Sequence, residues 1–377
     1  MLTDHFQSRT EPMLATLRVL VEHESPSNDL GRLGLLATVL AERLAALGCA
    51  VERLPGPNGE HLRATLAPSG TPAGPPALIM CHYDTVHAAG SLAQMPFRVD
   101  GDTAFGPGIY DMKAGIVLAL EALGAITALG LALPRPITLL ITADEETGSR
   151  SSRDLIEGSA RGAAFALVME PPIEGLDALK TSRKGVGHFS VEITGRPAHA
   201  GVEPEKGISA ITELAHQVLF LNGLNDRAEG TTVNVGVVAG GTRSNVVAAS
   251  ARLDIDARAW SAAEAERVTK AILGAQAQLP GALLSAQGAF ARPPMERSPA
   301  IAALFARAQN LAAGLGMELR EGGTGGGSDG NFTAAIGTPT LDGLGVPGQG
   351  AHASHEQIRI SGLAERAALL TTLLSGL

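Results

Sequence analysis

The stretch Ile137-Thr138-Leu139-Leu140-Ile141-Thr142-Ala143-Asp144-Glu145-Glu146-Thr147-Gly148 decides how this chain is read. Its apolar, β-branched half reads as a buried strand. Asp144, Glu145 and Glu146 then end it abruptly. Open α/β sheets place their ligand crevices at the carboxyl ends of such strands. Neighbouring side chains alternate on an extended backbone, so Glu145 and Glu146 are expected to face different ways. One carboxylate could then hold a metal ion while the other moves a proton. Taken alone, an acidic solvated loop explains the stretch equally well, and the rest of the chain has to break the tie.

The same ending recurs. Ala77-Leu78-Ile79-Met80-Cys81 reads as a central strand that runs into His82-Tyr83-Asp84. His82 and Asp84 share a face at a spacing of two, which suits a metal ligand and the group that orients it. Asp84 as a direct ligand is the other option. A third apolar run, Ala164 to Met169, ends at Glu170-Pro171-Pro172. Between these strands, Phe105-Gly106-Pro107-Gly108-Ile109-Tyr110-Asp111 forms an irregular loop before a long apolar helix. An Asp there is usually an N-cap. The alternative is a carboxylate that bridges two cations. A late segment, Gly350-Ala351-His352-Ala353-Ser354-His355-Glu356, offers the second imidazole. His82, Asp111, Glu146, Glu170 and one late His suit a pair of zinc-like ions better than a thiolate site or an all-oxygen calcium cage. Such a pair lowers the pKa of a water and polarises a carbonyl. Glu145 is then placed to take and return a proton.

At 377 residues the chain exceeds one ordinary core, so two domains are expected. The fold class is α/β: a mixed, mostly parallel sheet flanked by helices, with an inserted α+β unit of one antiparallel sheet and two helices. Helices are expected over 11–24, 30–47, 114–128, 262–278, 299–315 and 361–374, among others. From residue 181 the texture shifts to alternating strands over 187–193, 232–238 and 249–257. The expected boundaries are 1–180 and 292–377 for the two parts of the main domain, with 181–291 inserted. A net charge of −9 and the lack of any Lys/Arg block argue against a nucleic-acid partner. Cys49 and Cys81 are too few for a disulfide framework and fit a reducing compartment. No signal sequence or ~20-residue apolar run is visible, so a cytoplasmic enzyme without membrane contact is expected. The glycine run 322–327 lacks the Lys-Ser/Thr ending of a phosphate-binding loop. Its glycines more readily let backbone approach a ligand.

Taken together, His82-x-Asp84, Gly108-x-x-Asp111-Met112-Lys113, Asp144-Glu145-Glu146-x-Gly148, Met169-Glu170-Pro171 and the late His-x-x-x-Glu resemble the co-catalytic zinc exopeptidase and deacylase family. That family includes bacterial glutamate carboxypeptidase, acetylornithine deacetylase, succinyl-diaminopimelate desuccinylase and aminoacylase. The resemblance spans nearly the whole chain. It is nearest to the glutamate carboxypeptidase branch, on the phrases Val191-Glu192-Ile193-Thr194-Gly195-Arg196-Pro197-Ala198-His199-Ala200-Gly201 and Ser244-Asn245-Val246-Val247-Ala248-Ala249-Ser250.

The resemblance implies two Zn2+ per chain, with Co2+ or Mn2+ as substitutes. His82, Asp111 and Glu170 would hold one ion; Asp111, Glu146 and His352 would hold the other. His352 is preferred to His355 because it precedes Glu356 by the family's spacing of four. Asp84 would orient His82, and Glu145 would be the general base. The inserted unit resembles a lid through which the family forms homodimers. His199 would reach the partner's site and stabilise an oxyanion. Asn245 and Arg258 would bind a substrate carboxylate, for which Arg is well shaped; a salt bridge to a neighbouring Asp is the plainer reading of Arg258. Gly326, Gly327 and Ser328 would add substrate contacts, and Arg292 is a further candidate cation. One departure stands out: where glutamate-specific members carry a Lys, this chain has Ala178, and Lys180 is out of register. That weakens the expectation of glutamate preference but not of C-terminal carboxylate recognition. The expected activity is amide hydrolysis that releases a C-terminal amino acid from a small N-acyl or peptidyl substrate. An N-acyl-amino-acid deacylase is the near alternative. A catalytically silent binding protein is the distant one, and retention of Glu145 argues against it.

Overall fold

The computed structural model describes residues 2–377. The chain forms two compact units. The first runs to Thr181 and resumes over Arg297–Thr324 and Ser328–Leu377. The second comprises Ser182–Glu296 and also takes in Gly325–Gly327.

The first unit is an α/β layer structure around a six-stranded sheet. In spatial order its strands are Ala50–Gly56, Gly59–Leu66, Ile137–Thr142, Ala77–His82, Phe165–Val168 and Thr340–Leu341. The last four run parallel, and the first two form an antiparallel hairpin at one edge. Strand Ala77–His82 is buried along its whole length, as a parallel strand covered on both faces must be. Its side chains divide by parity. Ile79 and Cys81 join the larger core with the helices Thr10–Glu22, Leu30–Ala46, Ala114–Ala128, Pro299–Ala313 and Ser361–Gly376. Leu78 and Met80 pack with Ile156, Ala160 and Phe332 on the opposite face. Helix Ala114–Ala128 is apolar nearly all round because it lies inside the core. Its one acid, Glu121, is enclosed and meets Arg9 at 2.5 and 3.0 Å.

A second small sheet of four strands of two or three residues also belongs to this unit. It orders Gly348–Gln349, Gln357–Arg359, Thr103–Phe105 and Arg98–Asp100. Sequence periodicity gives no sign of it, because such strands are too short to show a repeat.

The second unit is a four-stranded antiparallel sheet, ordered Thr232–Gly240, Ser250–Ala259, Gly185–Thr194 and Leu283–Arg292. Helices Ala210–Asn222 and Ala262–Leu273 pack on it through Leu221, Val268 and Ile272. The sequence reading finds only the first three of these strands. Leu283–Arg292 is an edge strand rich in Ala, Gly and polar residues, and it lacks the β-branched pattern that marks a half-buried strand.

Candidate metal centre

Strand register brings the first ligand-type residues level. His82 pairs with Thr142, and Met80 with Val168, so three parallel strands end side by side. The chain then delivers His82 directly, Glu145 and Glu146 just past Thr142, and Glu170 just past Val168.

Asp111 arrives differently. The long helix spans the expected residues, Ala114–Ala128, but the N-cap reading of Asp111 is corrected: Lys113 stands at that position. Asp111 lies in the irregular turn Ile109–Lys113, with φ −116° and ψ 94°, and is joined to Met112 by a cis peptide bond. Gly108 enters the turn at φ +69°, and a Cβ there would stand 2.4 Å from Thr85 Cγ2, so only glycine fits.

The Asp111 carboxylate lies between the two imidazoles. His82 Nε2 is 3.1 Å from Oδ1, and His352 Nε2 is 3.4 Å from Oδ2. Each imidazole also meets a second carboxylate: His82 Nε2 is 3.4 Å from Glu170 Oε1, and His352 Nε2 is 3.3 Å from Glu146 Oε2. Two sets of ligand atoms each fall within 4.8 Å of one another: His82 with Glu145 and Glu170, and His82 with Asp111 and Glu146. His355 is exposed, and His352 is the late imidazole in the cluster.

Protonation follows from this crowding. Burial disfavours a charged His82, but its contacts with Asp111, Asp84 and Glu170 outweigh that and push it well above the usual imidazole range. Asp111 and then Glu146 push His352 up to about 11. Burial works against an ionised Asp111, yet the bonds from His352 and His82 hold it below the usual carboxylate range. Burial raises Glu146, helped by the Asp111 charge and opposed by His352.

The residues fit a divalent cation. Among the described residues, Glu146 Oε1 is enclosed and meets no hydrogen-bond donor. A buried carboxylate oxygen without a donor is costly unless a cation faces it. The donor set of imidazole and carboxylate suits zinc-like ions. His82 Nδ1 lies 3.0 Å from the Asp84 carbonyl oxygen, the contact that fixes a ligating histidine's tautomer.

Asp84 does more than face His82. Its Oδ1 accepts the N–H of Glu145 (3.1 Å), and its Oδ2 accepts the N–H of Glu146 (3.2 Å). Ser27 Oγ donates to Oδ2 at 2.8 Å. Ser27 is not among the candidates read from the sequence, because a serine just past a helix end carries no signal of the distant Asp84. Glu145–Thr147 form a single tight helical turn, not an extended segment. The expected alternation of Glu145 and Glu146 is therefore corrected: a turn, tied to Asp84, sets their directions. Asp144 anchors the turn from below, accepting from Ser151 N (2.7 Å), Ser151 Oγ (2.8 Å) and Ser152 Oγ (2.6 Å).

The remaining candidates divide between the two units. In the second, His199 is exposed and its Nδ1 accepts from Gly201 N at 3.2 Å. The His199 segment pairs with that of Asn245: Ala200 N donates to Asn245 O at 3.0 Å. Arg258 is held in a two-point salt bridge with Asp256, at 2.8 and 2.9 Å. The carbonyls of Gly326 and Gly327 accept from Arg183 Nη1 at 3.2 and 3.0 Å. In the first unit, Ser328 is buried; its hydroxyl donates to Asp342 Oδ2 (2.6 Å) and its N–H to Asn331 Oδ1 (2.9 Å). Those two donors are thus engaged within the fold.

Residues 78–376 match the sequence profile of peptidase family M20/M25/M40. The chain belongs to this family. It is 33% identical over 374 residues to carboxypeptidase G2 from Pseudomonas sp. (strain RS-16), an alignment covering 96% of this chain and 89% of that protein. It is 31% identical over 240 residues to an acetylornithine deacetylase from Proteus mirabilis, covering 59% of each. Among solved structures it resembles aminopeptidase PepT from Bacillus cereus, with a TM-score of 0.79 at 22% identity over 97% of this chain and 98% of that one. This family member is a metallopeptidase-type enzyme with a candidate metal centre. Among its described residues no helix is long and apolar enough to cross a membrane.

Proposed function

We propose that this enzyme hydrolyses an amide bond and releases a C-terminal amino acid from an N-acyl or short peptidyl substrate. One observation carries the reading: a single carboxylate, Asp111, lies between two imidazoles that each meet a further carboxylate. His82, Asp111 and Glu170 would hold one divalent ion, and Asp111, Glu146 and His352 the other. Zn2+ suits these donors best, with Co2+ and Mn2+ as substitutes. When bound, the ions supply Lewis acidity toward the scissile carbonyl and toward an attacking water.

The chain's own groups do the rest. A Glu145 carboxylate oxygen takes the proton of the attacking water and returns it to the leaving nitrogen. Asp84 holds the Glu145–Glu146 turn by its backbone, so that the base and a ligand move together. Asn245 and Arg258 bind the substrate's carboxylate, with Arg258 exchanging Asp256 for it, and Gly326 and Gly327 add substrate contacts. His199 stabilises the oxyanion from a partner subunit. A homodimer through helix Ala210–Asn222 and edge strand Thr232–Gly240 is consistent with the exposure there of Leu219 (72%), Val237 (59%) and Val238 (54%).

The 33%-identical carboxypeptidase favours this reading over a deacylase. The acetylornithine deacetylase relatives keep the second reading in view. A panel of N-acyl-glutamates, other N-acyl amino acids and N-acetylornithine, assayed for released amino acid, separates the two. Turnover of N-acetylornithine alone sinks the carboxypeptidase reading. Activity that survives exhaustive chelation sinks the metal-dependent one.

A further inference from the structure

The Glu356 carboxylate is almost fully enclosed, at 1% exposure. Its Oε1 accepts the backbone N–H groups of Tyr110 (2.8 Å) and Asp111 (3.0 Å). Its Oε2 accepts the N–H of Gly108 (2.9 Å) and faces His87 Nε2 at 2.6 Å. These contacts converge from three places. Gly108–Asp111 is the turn that presents Asp111. His87 follows the strand end that presents His82. Glu356 itself closes the loop that presents His352.

The turn needs such a partner. The turn closes with Lys113 N on Gly108 O, so the N–H groups of Gly108, Tyr110 and Asp111, which stand before or at its start, need acceptors from outside it, as at the start of any helix. A backbone N–H left unsatisfied in the interior is costly. A carboxylate is all acceptor, with lone pairs enough for several donors at once. An amide offers a single acceptor oxygen and would turn N–H against N–H on its other side. The contacts lie entirely within the protein and do not require an ion.

We infer that Glu356 is a positioning residue, which locks the Asp111 turn to the His82 and His352 loops and so sets the spacing of the metal ligands before any ion binds. This rests on the metal-centre reading proposed above. The partners of the Glu356 carboxylate are the backbone N–H groups of Gly108, Tyr110 and Asp111 and the imidazole of His87, so it acts through the backbone of Asp111 and through His87. A carboxylate that merely filled space or stabilised the fold would leave the affinity of the folded protein for metal unchanged.

The test titrates Zn2+ alone into chelator-treated wild type, E356Q, H87A and H87Q by calorimetry, with circular dichroism to confirm folding and steady-state kinetics on reloaded protein. E356Q is expected to bind Zn2+ ~10- to 100-fold more weakly, the scale for groups that orient metal ligands. Its kcat should fall by more than its KM changes. H87A should lose affinity in the same direction by a smaller factor, and H87Q, which keeps a donor for Oε2, should recover most of it. Folded E356Q with wild-type Zn2+ affinity overturns the inference and leaves the metal-centre reading intact. Wild type that binds no Zn2+ overturns both. If E356Q does not fold, H87A decides: wild-type affinity there overturns the inference, and a loss restored in H87Q supports it.

Discussion

The N–H of Glu145 donates to Asp84 Oδ1 at 3.1 Å, so the proposed base is held by the same carboxylate that faces the imidazole of His82. The second Asp84 oxygen holds the next residue, Glu146, at 3.2 Å. Asp84→Asn keeps the size of this group but turns an amide N–H toward one of these donors. The variant should lose ~10- to 100-fold in metal affinity or activity, the usual scale for such outer groups. Metal content after gel filtration and kcat/KM check it; a wild-type value for both rules out the orienting role.

Glu145→Gln removes the proton acceptor and leaves His82, Asp111, Glu146, Glu170 and His352 in place. Metal content should stay at the wild-type level while kcat falls at least ~10²-fold, the scale for a lost general acid–base group. Full activity in this variant rejects Glu145 as the base.

Metal uptake should release protons. Without ions His352 is raised to about 11 by Asp111 and Glu146, and His82 is raised by its three acidic contacts once burial is overcome. A ligating imidazole must be neutral, so these upward shifts make metal binding compete with protons. Titration of Zn2+ in two buffers of different ionisation enthalpy should show net proton release. The sign for the ion-free protein follows from the same shift. The folded value of His352 lies above its ordinary one near 6.5, so its stabilising contribution is complete below about 6.5 and is lost as pH rises toward 11. Ion-free protein should accordingly lose thermal stability between neutral and alkaline pH faster than the metal-loaded form does.

Two glycines confine Glu170. A Cβ at Gly115 would lie 2.2 Å from Met169 O, and one at Gly345 would lie 2.7 Å from Glu170 O. Gly115→Ala therefore has to push the strand end away from the helix. It should destabilise the protein by ~1–3 kcal/mol, the range for overpacked cores, despite the better helix propensity of alanine. Urea unfolding measures the stability change. Zn2+ affinity should fall too, because Glu170 moves with Met169.

The departures from the sequence reading have physical causes. Strand 137–142 is legible because its apolar, β-branched run is a strand signal by itself, and the acids after it gain meaning because two other apolar runs also end in ligand-type residues, His82 and Glu170. The missed strand Leu283–Arg292 has an edge position and an Ala/Gly-rich sequence, so its pairing with Gly185–Thr194 is decided by its neighbour. Asp111 resembles an N-cap in sequence, yet Lys113 takes that place and the Asp111 carboxylate meets His82 in the cluster. The turn at Glu145 defeats an argument from extended alternation, because alternation holds only while the backbone stays a strand.

By itself the sequence determined the chemical inventory and three of its addresses: His82, Glu145 with Glu146, and Glu170 stand at the ends of apolar runs, where local patterning alone places them. It also supplied, through ordered motifs, the family to which the chain belongs. Only the tertiary structure decided how His352 comes to face Asp111. That meeting depends on Gln357 pairing with Phe105 and on Glu356 gripping the Asp111 turn, contacts between segments far apart in the chain. Strands of two or three residues carry no periodic signal, and a buried carboxylate's backbone partners leave no mark on the order of residues. The packing of the whole first unit brings these segments together.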